Sequence, residues 1–334
     1  MKKIAIVGGG SWGTALAIAL TRASRPHRLA LWARSPDVVE LLRTKRVNEI
    51  YLPGLELPAE VEVTGVLADA LADAEIVLGV MPSAHAREVY RAIRPHLDLG
   101  AVFVSATKGL EPATHARSSE IITCEIAQNS PGRIAVLSGP SFAVEVARGD
   151  PTAVVLASAD ASLAAEVQEE FSGPTFRLYT NDDVIGTEIA GAVKNVIAIA
   201  AGVCTGLGLG ANTMAALVTR GLAEMTRLAV ALGGRRDTLA GLAGVGDLIL
   251  TSTGALSRNR SVGIELGKGR ELGEILRATR MVAEGVGSAA AALELARRAG
   301  VEMPIAEQVH AVLTAGRATR DAIRELMDRR LKQE

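Results

Sequence analysis

The chain is poor in aromatic residues and in cysteine, and its charges almost cancel. Aromatics are 3% of 334 residues, too few to suggest a surface that stacks bases. A formal net charge of −1 argues against a general binder of nucleic acid or membrane surface, although a local basic pocket is compatible with it. The two cysteines, Cys124 and Cys204, lie far apart and neither has a C-x-x-C partner. That excludes a disulfide framework and fits a reducing, cytoplasmic setting. The histidines His27, His85, His96, His115 and His310 show no ligand spacing, so no metal is expected. The longest apolar stretch, Ile185 to Cys204, is interrupted by Glu188, Lys194 and Asn195. It reads as a buried helix rather than a membrane span.

Glycine stands at one telling place. Residues 1–14, MKKIAIVGGGSWGT, join an apolar run, Ile4 to Val7, to Gly8, Gly10 and Gly13 at G-x-G-x-x-G spacing. A helical apolar pattern follows from Ala15 to Leu20. Strand, glycine turn and helix are the parts of a dinucleotide-binding βαβ unit. Gly8 permits the tight turn, Gly10 lets backbone approach a diphosphate, and Gly13 allows helix and strand to pack closely. The alternative is a glycine-rich turn in some other α/β domain. A secretory leader is not expected, because the apolar run is far shorter than the roughly 7–15 residues of an h-region.

Length and pattern divide the chain in two. In the first part, short β-branched runs at 4–7, 29–33, 76–80, 102–106, 134–138 and 153–156 alternate with helical patterns at 13–23, 36–44, 84–96 and 114–128. That alternation predicts a doubly wound parallel sheet, a Rossmann-type α/β domain over 1–185. After it the strands stop, and helices are expected at 187–203, 211–232, 236–243, 260–267, 271–279, 285–299, 304–313 and 318–331. The expectation is an all-helical, substrate-binding domain over 186–334, with Asn181-Asp182-Asp183 marking the passage.

Several residues invite chemistry. The second strand ends at Arg34, where an enzyme selective for NAD would commonly carry Asp or Glu. A guanidinium there can pair with a 2′-phosphate, so NADP(H) is favoured and NAD(H) remains possible. A plain surface arginine is the alternative. Lys194 lies among small and apolar residues, and a desolvated lysine suits general acid–base work. Equally, it could snorkel or pair structurally with Glu188 or Asp247. Lys108 directly follows a predicted strand, where a loop lysine is the plainer reading. Asp247, in the glycine-rich segment LAGVGDL, could orient Lys194 or cap a helix. Ser257-Arg258-Asn259-Arg260 is dense in donors and suits a phosphate, or is a polar loop.

These segments together resemble the bacterial-type NAD(P)-dependent glycerol-3-phosphate dehydrogenase family. The resemblance runs through GGGSWGTALA (8–17), LWARSP (31–36), VMPSAHAREV (80–89), SATKGLE (105–111), LSGPSFAVEVARGDPTAV (137–154), GAVKNVIAIAAG (191–202), GANTMAALVTRGLAEMTRL (210–228), LAGVGDLILTSTGALSRNR (242–260), VAEGV (282–286) and VEMPI (301–305). It implies reversible reduction of dihydroxyacetone phosphate to sn-glycerol 3-phosphate, a precursor of glycerophospholipids. By the same resemblance, Lys194 is the proton donor and acceptor, and Lys108 touches both ligands. Gly139, Ser141, Asp247, Ser257, Arg258 and Asn259 would bind substrate. Ser11, Trp12, Arg34, Ala143, Val282 and Glu284, again with Arg258, would bind the nucleotide. Ser141 and Trp12 are mild variants of the family pattern. A homodimer is implied by the resemblance alone. The rival readings are another ketoacid or hydroxyacid dehydrogenase of the same plan, and a non-catalytic NADPH sensor. The donor-rich SRNR cluster argues against the first, and Lys194, Lys108 and Asp247 together argue against the second.

Overall fold

A computed structural model describes residues 1–97, 100–126, 133–278 and 283–330. Among these, the ten strands are β1 (Lys3–Val7), β2 (Arg28–Trp32), β3 (Val47–Asn48), β4 (Leu52–Glu56), β5 (Val61–Thr64), β6 (Ile76–Gly79), β7 (Val102–Ser105), β8 (Ile134–Ser138), β9 (Thr152–Ala157) and β10 (Phe176–Asn181). Eight form one sheet in the order β10-β9-β8-β7-β6-β1-β2-β5, and β3 pairs with β4 in a separate hairpin.

All five residues of β1 are buried, because both faces of the sheet are covered. The pleat divides them. Ile4 and Ile6 join the layer that holds the Ser11–Thr21 helix, while Ala5 and Val7 join the layer that holds Tyr90 and Ile93. From β1 the chain proceeds outward to β2 and β5, then returns to β6 on the other side of β1 and proceeds through β7 and β8. The order therefore reverses between β1 and β6, and the crevice at their carboxyl ends is where such sheets bind ligands.

The sheet is not wholly parallel. β8 and β9 run antiparallel, with Leu137 opposite Leu156. A parallel return needs a long crossover, but the intervening chain holds only the six-residue helix Ala143–Arg148. Strands β5 and β10, the β3–β4 hairpin and the helices Leu67–Leu71, Ala143–Arg148 and Ala161–Phe171 go beyond the elements expected from pattern. The expected helix 114–128 is Ser118–Glu125, and 84–96 splits into Ala86–Ile93 with a tight turn at each end. Positions 127–128, 279 and 331 of the expected helices lie outside the described residues.

The chain divides into two compact units. One comprises Met1–Lys108 and Ala116–Glu188, the other Gly109–His115 and Ile189–Glu334. The division falls inside the helix Val184–Gly206, and the seven residues after Lys108 group with the helical unit. That helix is long and apolar enough to cross a membrane, yet 89% of its most apolar window is buried inside the protein. The helical unit continues with Ala211–Ala231, Arg236–Ala240, Asp247–Thr253, Arg258–Gly267, Leu272–Arg277, Glu284–Ala299, Pro304–Ala315 and Thr319–Met327. One wide turn, Leu242–Gly246, precedes Asp247.

Two buried carboxylates hold helices in place. Glu224, 2% exposed, accepts the N–H groups of Ile305 (2.8 Å) and Ala306 (3.3 Å), the otherwise free donors that open Pro304–Ala315. Burial pushes its carboxyl up to about 7 despite those two bonds. Glu188, in the first unit, accepts from Arg117 Nη1 (2.7 Å) and from the N–H (2.8 Å) and hydroxyl (2.6 Å) of Ser119. Burial raises its carboxyl from the usual range, and the Arg117 guanidinium opposes that rise.

Candidate functional site

In the sheet unit the candidates gather at the carboxyl ends of the strands. Gly8 leaves β1 with φ +136, and a Cβ on it would lie 2.2 Å from the Val80 carbonyl oxygen at the end of β6. A Cβ on Gly13 would lie 1.8 Å from the Gly8 carbonyl oxygen. No larger residue fits either position. Gly10 differs: its Cβ would enter open space. It is the N-cap of Ser11–Thr21, a helix with no side-chain cap and no acid in its first turn. The first N–H groups of this helix lack internal acceptors, which makes the turn a ready anion site. The residues thus fit a dinucleotide diphosphate. Ser11 is half-buried at the first position, and Trp12 packs against the core with its indole N–H buried and unpartnered. Arg34 stands exposed just past β2, where its guanidinium is free of the core.

Lys108, Gly139 and Ser141 form one cluster. The Lys108 ammonium donates to the Gly139 carbonyl (2.6 Å) and to Ser141 Oγ (3.0 Å). Ser141 in turn donates to the same carbonyl at 2.9 Å. Gly139 ends β8 with φ +130, and a Cβ there would come within 3.1 Å of Val154. Ala143 opens the next helix, half-buried against the sheet core. Arg22 fixes the other end of that helix by donating to the carbonyls of Val146 (3.1 Å) and Ala147 (2.7 Å).

In the helical unit, Lys194 is 5% exposed. Its ammonium donates to Asp247 Oδ1 at 2.6 Å and to Thr251 Oγ1 at 3.0 Å. Asp247 is 1% exposed, so this is a buried ion pair. Of the alternatives open from sequence, the counter-charge is Asp247, and the lysine is not a snorkelling one. Nor is Asp247 an N-cap: it is the first residue of Asp247–Thr253, after the cap residue Gly246, and its side chain faces Lys194. Thr251 is the member that sequence reasoning missed. It donates its hydroxyl to the Asp247 carbonyl (2.6 Å), leaving an oxygen lone pair for the lysine. Its position four residues after Asp247, on the same helical face, was the available signal.

The SRNR cluster opens a helix rather than forming a polar loop. Ser257 is the N-cap of Arg258–Gly267 and accepts the Arg260 N–H at 3.2 Å. Asn259 Nδ2 donates to Asn195 Oδ1 (2.9 Å), and Asn259 Oδ1 accepts the Gly285 N–H (2.9 Å). Asn259 thus ties its helix to the neighbour of Lys194 and to the helix that begins at Glu284. Arg258 is exposed, but surrounding protein still lowers its guanidinium pKa, while the Glu284 charge opposes that. Glu284 itself is half-buried. Val282 lies outside the described residues.

Glycines set how closely these helices approach. A Cβ on Gly202 would lie 2.0 Å from the Arg260 carbonyl oxygen, and one on Gly206 2.2 Å from that of Ile264. Reciprocally, a Cβ on Gly263 would lie 2.0 Å from the Ile199 carbonyl oxygen. Two backbones touch directly, as at small-xxx-small crossings. The crossing sets the start of Arg258–Gly267 beside the Asn195 turn. Among the described residues, no three His, Cys, Asp or Glu side chains gather as a metal site requires.

Comparison with known proteins agrees across the whole chain. Residues 3–164 match the family profile described as NAD-dependent glycerol-3-phosphate dehydrogenase N-terminus, and residues 183–324 match the C-terminus of the same family. The chain is 56% identical over 330 residues to glycerol-3-phosphate dehydrogenase [NAD(P)+] of Koribacter versatilis, covering 98% of each chain. It is 50% identical over 333 residues to the protein of that name from Geobacter sulfurreducens, covering 100% of this chain and 99% of the other. The crystal structure of glycerol-3-phosphate dehydrogenase from Coxiella burnetii superposes with a TM-score of 0.92 at 40% identity, covering 98% of both chains. A ketopantoate reductase from Ralstonia eutropha, at 17% identity and a TM-score of 0.64, shares the fold over 97% of this chain and 100% of its own.

Proposed function

The chain belongs to the NAD-dependent glycerol-3-phosphate dehydrogenase family, and from that premise we propose how its residues carry the reaction. The reaction is the reversible reduction of dihydroxyacetone phosphate to sn-glycerol 3-phosphate with NAD(P)H, which supplies glycerophospholipid synthesis. The bound nicotinamide supplies the hydride.

Gly8, Gly10 and Gly13 shape the turn, and the N–H groups at the start of Ser11–Thr21 hold the diphosphate. Ser11, Trp12, Ala143, Val282 and Glu284 line the nucleotide. Arg34 meets the 2′-phosphate of NADP(H), which gives that cofactor preference over NAD(H). Lys108 holds positive charge for both ligands, with Gly139 and Ser141 beside it. Ser257, Arg258 and Asn259 cradle the substrate phosphate; Arg258, with its side chain exposed, does so by charge-assisted bonds. Lys194 donates a proton to the alkoxide oxygen formed at C2 and takes it back in the reverse direction. Asp247 and Thr251 aim the ammonium and keep it from rotating away.

The observation that carries this reading is the buried Lys194–Asp247 pair at 2.6 Å with Thr251 behind it. Asp247 and Thr251 each accept an ammonium N–H, which fixes the orientation of Lys194 as a positioned proton donor requires. The test is oxidation of NADPH and NADH with dihydroxyacetone phosphate, with hydroxypyruvate and ketopantoate as controls. Turnover is expected with the phosphate ketone alone. Turnover with ketopantoate instead would overturn the substrate assignment.

A homodimer is proposed on the family resemblance alone, and light scattering reads it. A cytoplasmic location is proposed because Cys124 and Cys204 are both free thiols.

A further inference from the structure

The β3–β4 hairpin contributes none of the candidate residues above, yet one of its side chains reaches the glycine turn. Asn48, on β3, is fully buried. Its Nδ2 donates to the Gly9 carbonyl at 3.0 Å and to Thr14 Oγ1 at 2.8 Å, and its Oδ1 accepts the Tyr51 N–H at 3.2 Å. The amide can sit only one way round. The Gly9 carbonyl accepts and cannot donate; the Tyr51 N–H donates and cannot accept.

This geometry bears on the residue that follows. The Gly9 carbonyl and the Gly10 N–H belong to one planar trans peptide and point in opposite directions. Three consecutive glycines have little conformational preference of their own, so that peptide plane is free to rotate unless something holds it. Asn48 holds it by the carbonyl. The hairpin that carries Asn48 is itself braced, since Arg46 donates to the carbonyls of Leu57 (3.2 Å) and Val61 (2.9 Å) and also to that of Pro58.

We propose that Asn48 is a positioning residue for the cofactor: by fixing the Gly9 carbonyl it presents the Gly10 N–H to the diphosphate before the cofactor arrives. The inference rests on the reading that this turn takes the diphosphate. Asn48 does not touch the cofactor; it removes the cost of ordering the turn on binding. An Asn48→Asp change puts an acceptor against the Gly9 carbonyl. The repulsion favours the rotated peptide, in which the Gly10 N–H turns inward to the carboxylate.

The experiment measures NADPH dissociation constants by fluorescence titration, steady-state constants for both substrates, and thermal midpoints. It uses the full chain and its Asn48→Ala, Asn48→Asp and Thr14→Val variants. Asn48→Ala is expected to weaken NADPH binding on the order of tenfold, the loss of about one hydrogen bond's ordering. Its kcat at saturating cofactor and its KM for dihydroxyacetone phosphate should stay within about twofold, as for changes away from the reacting atoms. Asn48→Asp, although nearly isosteric, should be worse than Asn48→Ala. Thr14→Val removes the other acceptor of the same network, so it should lower the midpoint while leaving NADPH affinity within about twofold. Equal NADPH affinity in Asn48→Ala and the unmodified chain would overturn the proposal. So would weakening in Thr14→Val that matches Asn48→Ala degree for degree of lost midpoint, since that pattern reports loss of structure only. An unmodified chain that bound no NADPH would overturn the cofactor reading itself, and the proposal with it.

Discussion

The Lys194–Asp247 pair permits a quantitative test through a double-mutant cycle. At 2.6 Å the gross attraction between unit charges is about 6 kcal/mol for an effective dielectric near 20. Desolvation of both groups offsets most of this, so the pair as a whole contributes little net stability. Removing one partner is different, because the survivor remains buried with an uncompensated charge, at a cost of about 3–5 kcal/mol. Lys194→Met and Asp247→Leu should each therefore lower the midpoint by roughly 10 °C for a unit of this size. The double variant, with two apolar side chains facing each other, should recover most of that loss. The coupling energy expected from urea unfolding is about 3 kcal/mol or more, in the sense that the two changes compensate. Activity should not recover with stability. Lys194→Met is expected to lose 10²- to 10⁴-fold in kcat, on the order of general acid–base catalysis, and the double variant should be no worse, since both act on one proton donor. Stability losses that added within about 0.5 kcal/mol would refute the buried ion pair as the organising contact. A Lys194→Met enzyme with more than about a tenth of normal turnover would refute the proton-donor role.

Other tests address other parts of the molecule. Glu224 has its folded-state pKa raised from 4.5 to about 7, so the folded state holds more protons than the unfolded state between those values. Stability should therefore fall as pH rises through that window, by about 3 kcal/mol in all, and Glu224→Gln should flatten the dependence and be the more stable protein at pH 8; a profile unchanged by the substitution would count against it. Arg34→Leu should raise KM for NADPH roughly tenfold or more while KM for NADH changes little, the loss of a charge-assisted contact to one phosphate. Equal effects on both cofactors would remove the arginine from the 2′-phosphate. Gly263→Ala drives a Cβ to within 2.0 Å of the Ile199 carbonyl oxygen and should cost about 1–3 kcal/mol or more. Because it displaces the helix of Arg258, it should also raise KM for dihydroxyacetone phosphate, and a variant with unchanged KM would separate the crossing from substrate binding.

What was legible in the sequence was whatever local pattern encodes. The G-x-G-x-x-G turn, the buried strand before it, the apolar helix after it and the long helix of Lys194 each announce themselves in a short window. The missing elements have weak local signals. β5 is four residues, VEVT, whose alternation is too brief to register. β10 is an edge strand whose alternate residues face solvent, with Arg177 lying over the Tyr179 ring at 5.2 Å, so it reads as polar. The β3–β4 hairpin rests on a two-residue strand and on side-chain bonds from Arg46, which no periodicity betrays. Among site residues, Lys194 and Asp247 stood out as charges in apolar or glycine-rich company. Thr251 and Asn48 did not, because their importance lies in partners 57 and 39 positions away.

The backbone contact between Gly202, Gly206 and Gly263 has one further consequence. A separation set by side chains drifts when those side chains are exchanged, and one set by charges relaxes with salt or pH. Two peptide chains pressed against each other have no such adjustable spacer. The approach of Arg258–Gly267 to the Lys194 helix is therefore set by the hard repulsive wall of the backbone. Ionic strength leaves that wall where it is, and so does replacement of the other residues along either helix. The stretch of molecule proposed to meet the substrate phosphate is thereby held by the least changeable part of a polypeptide.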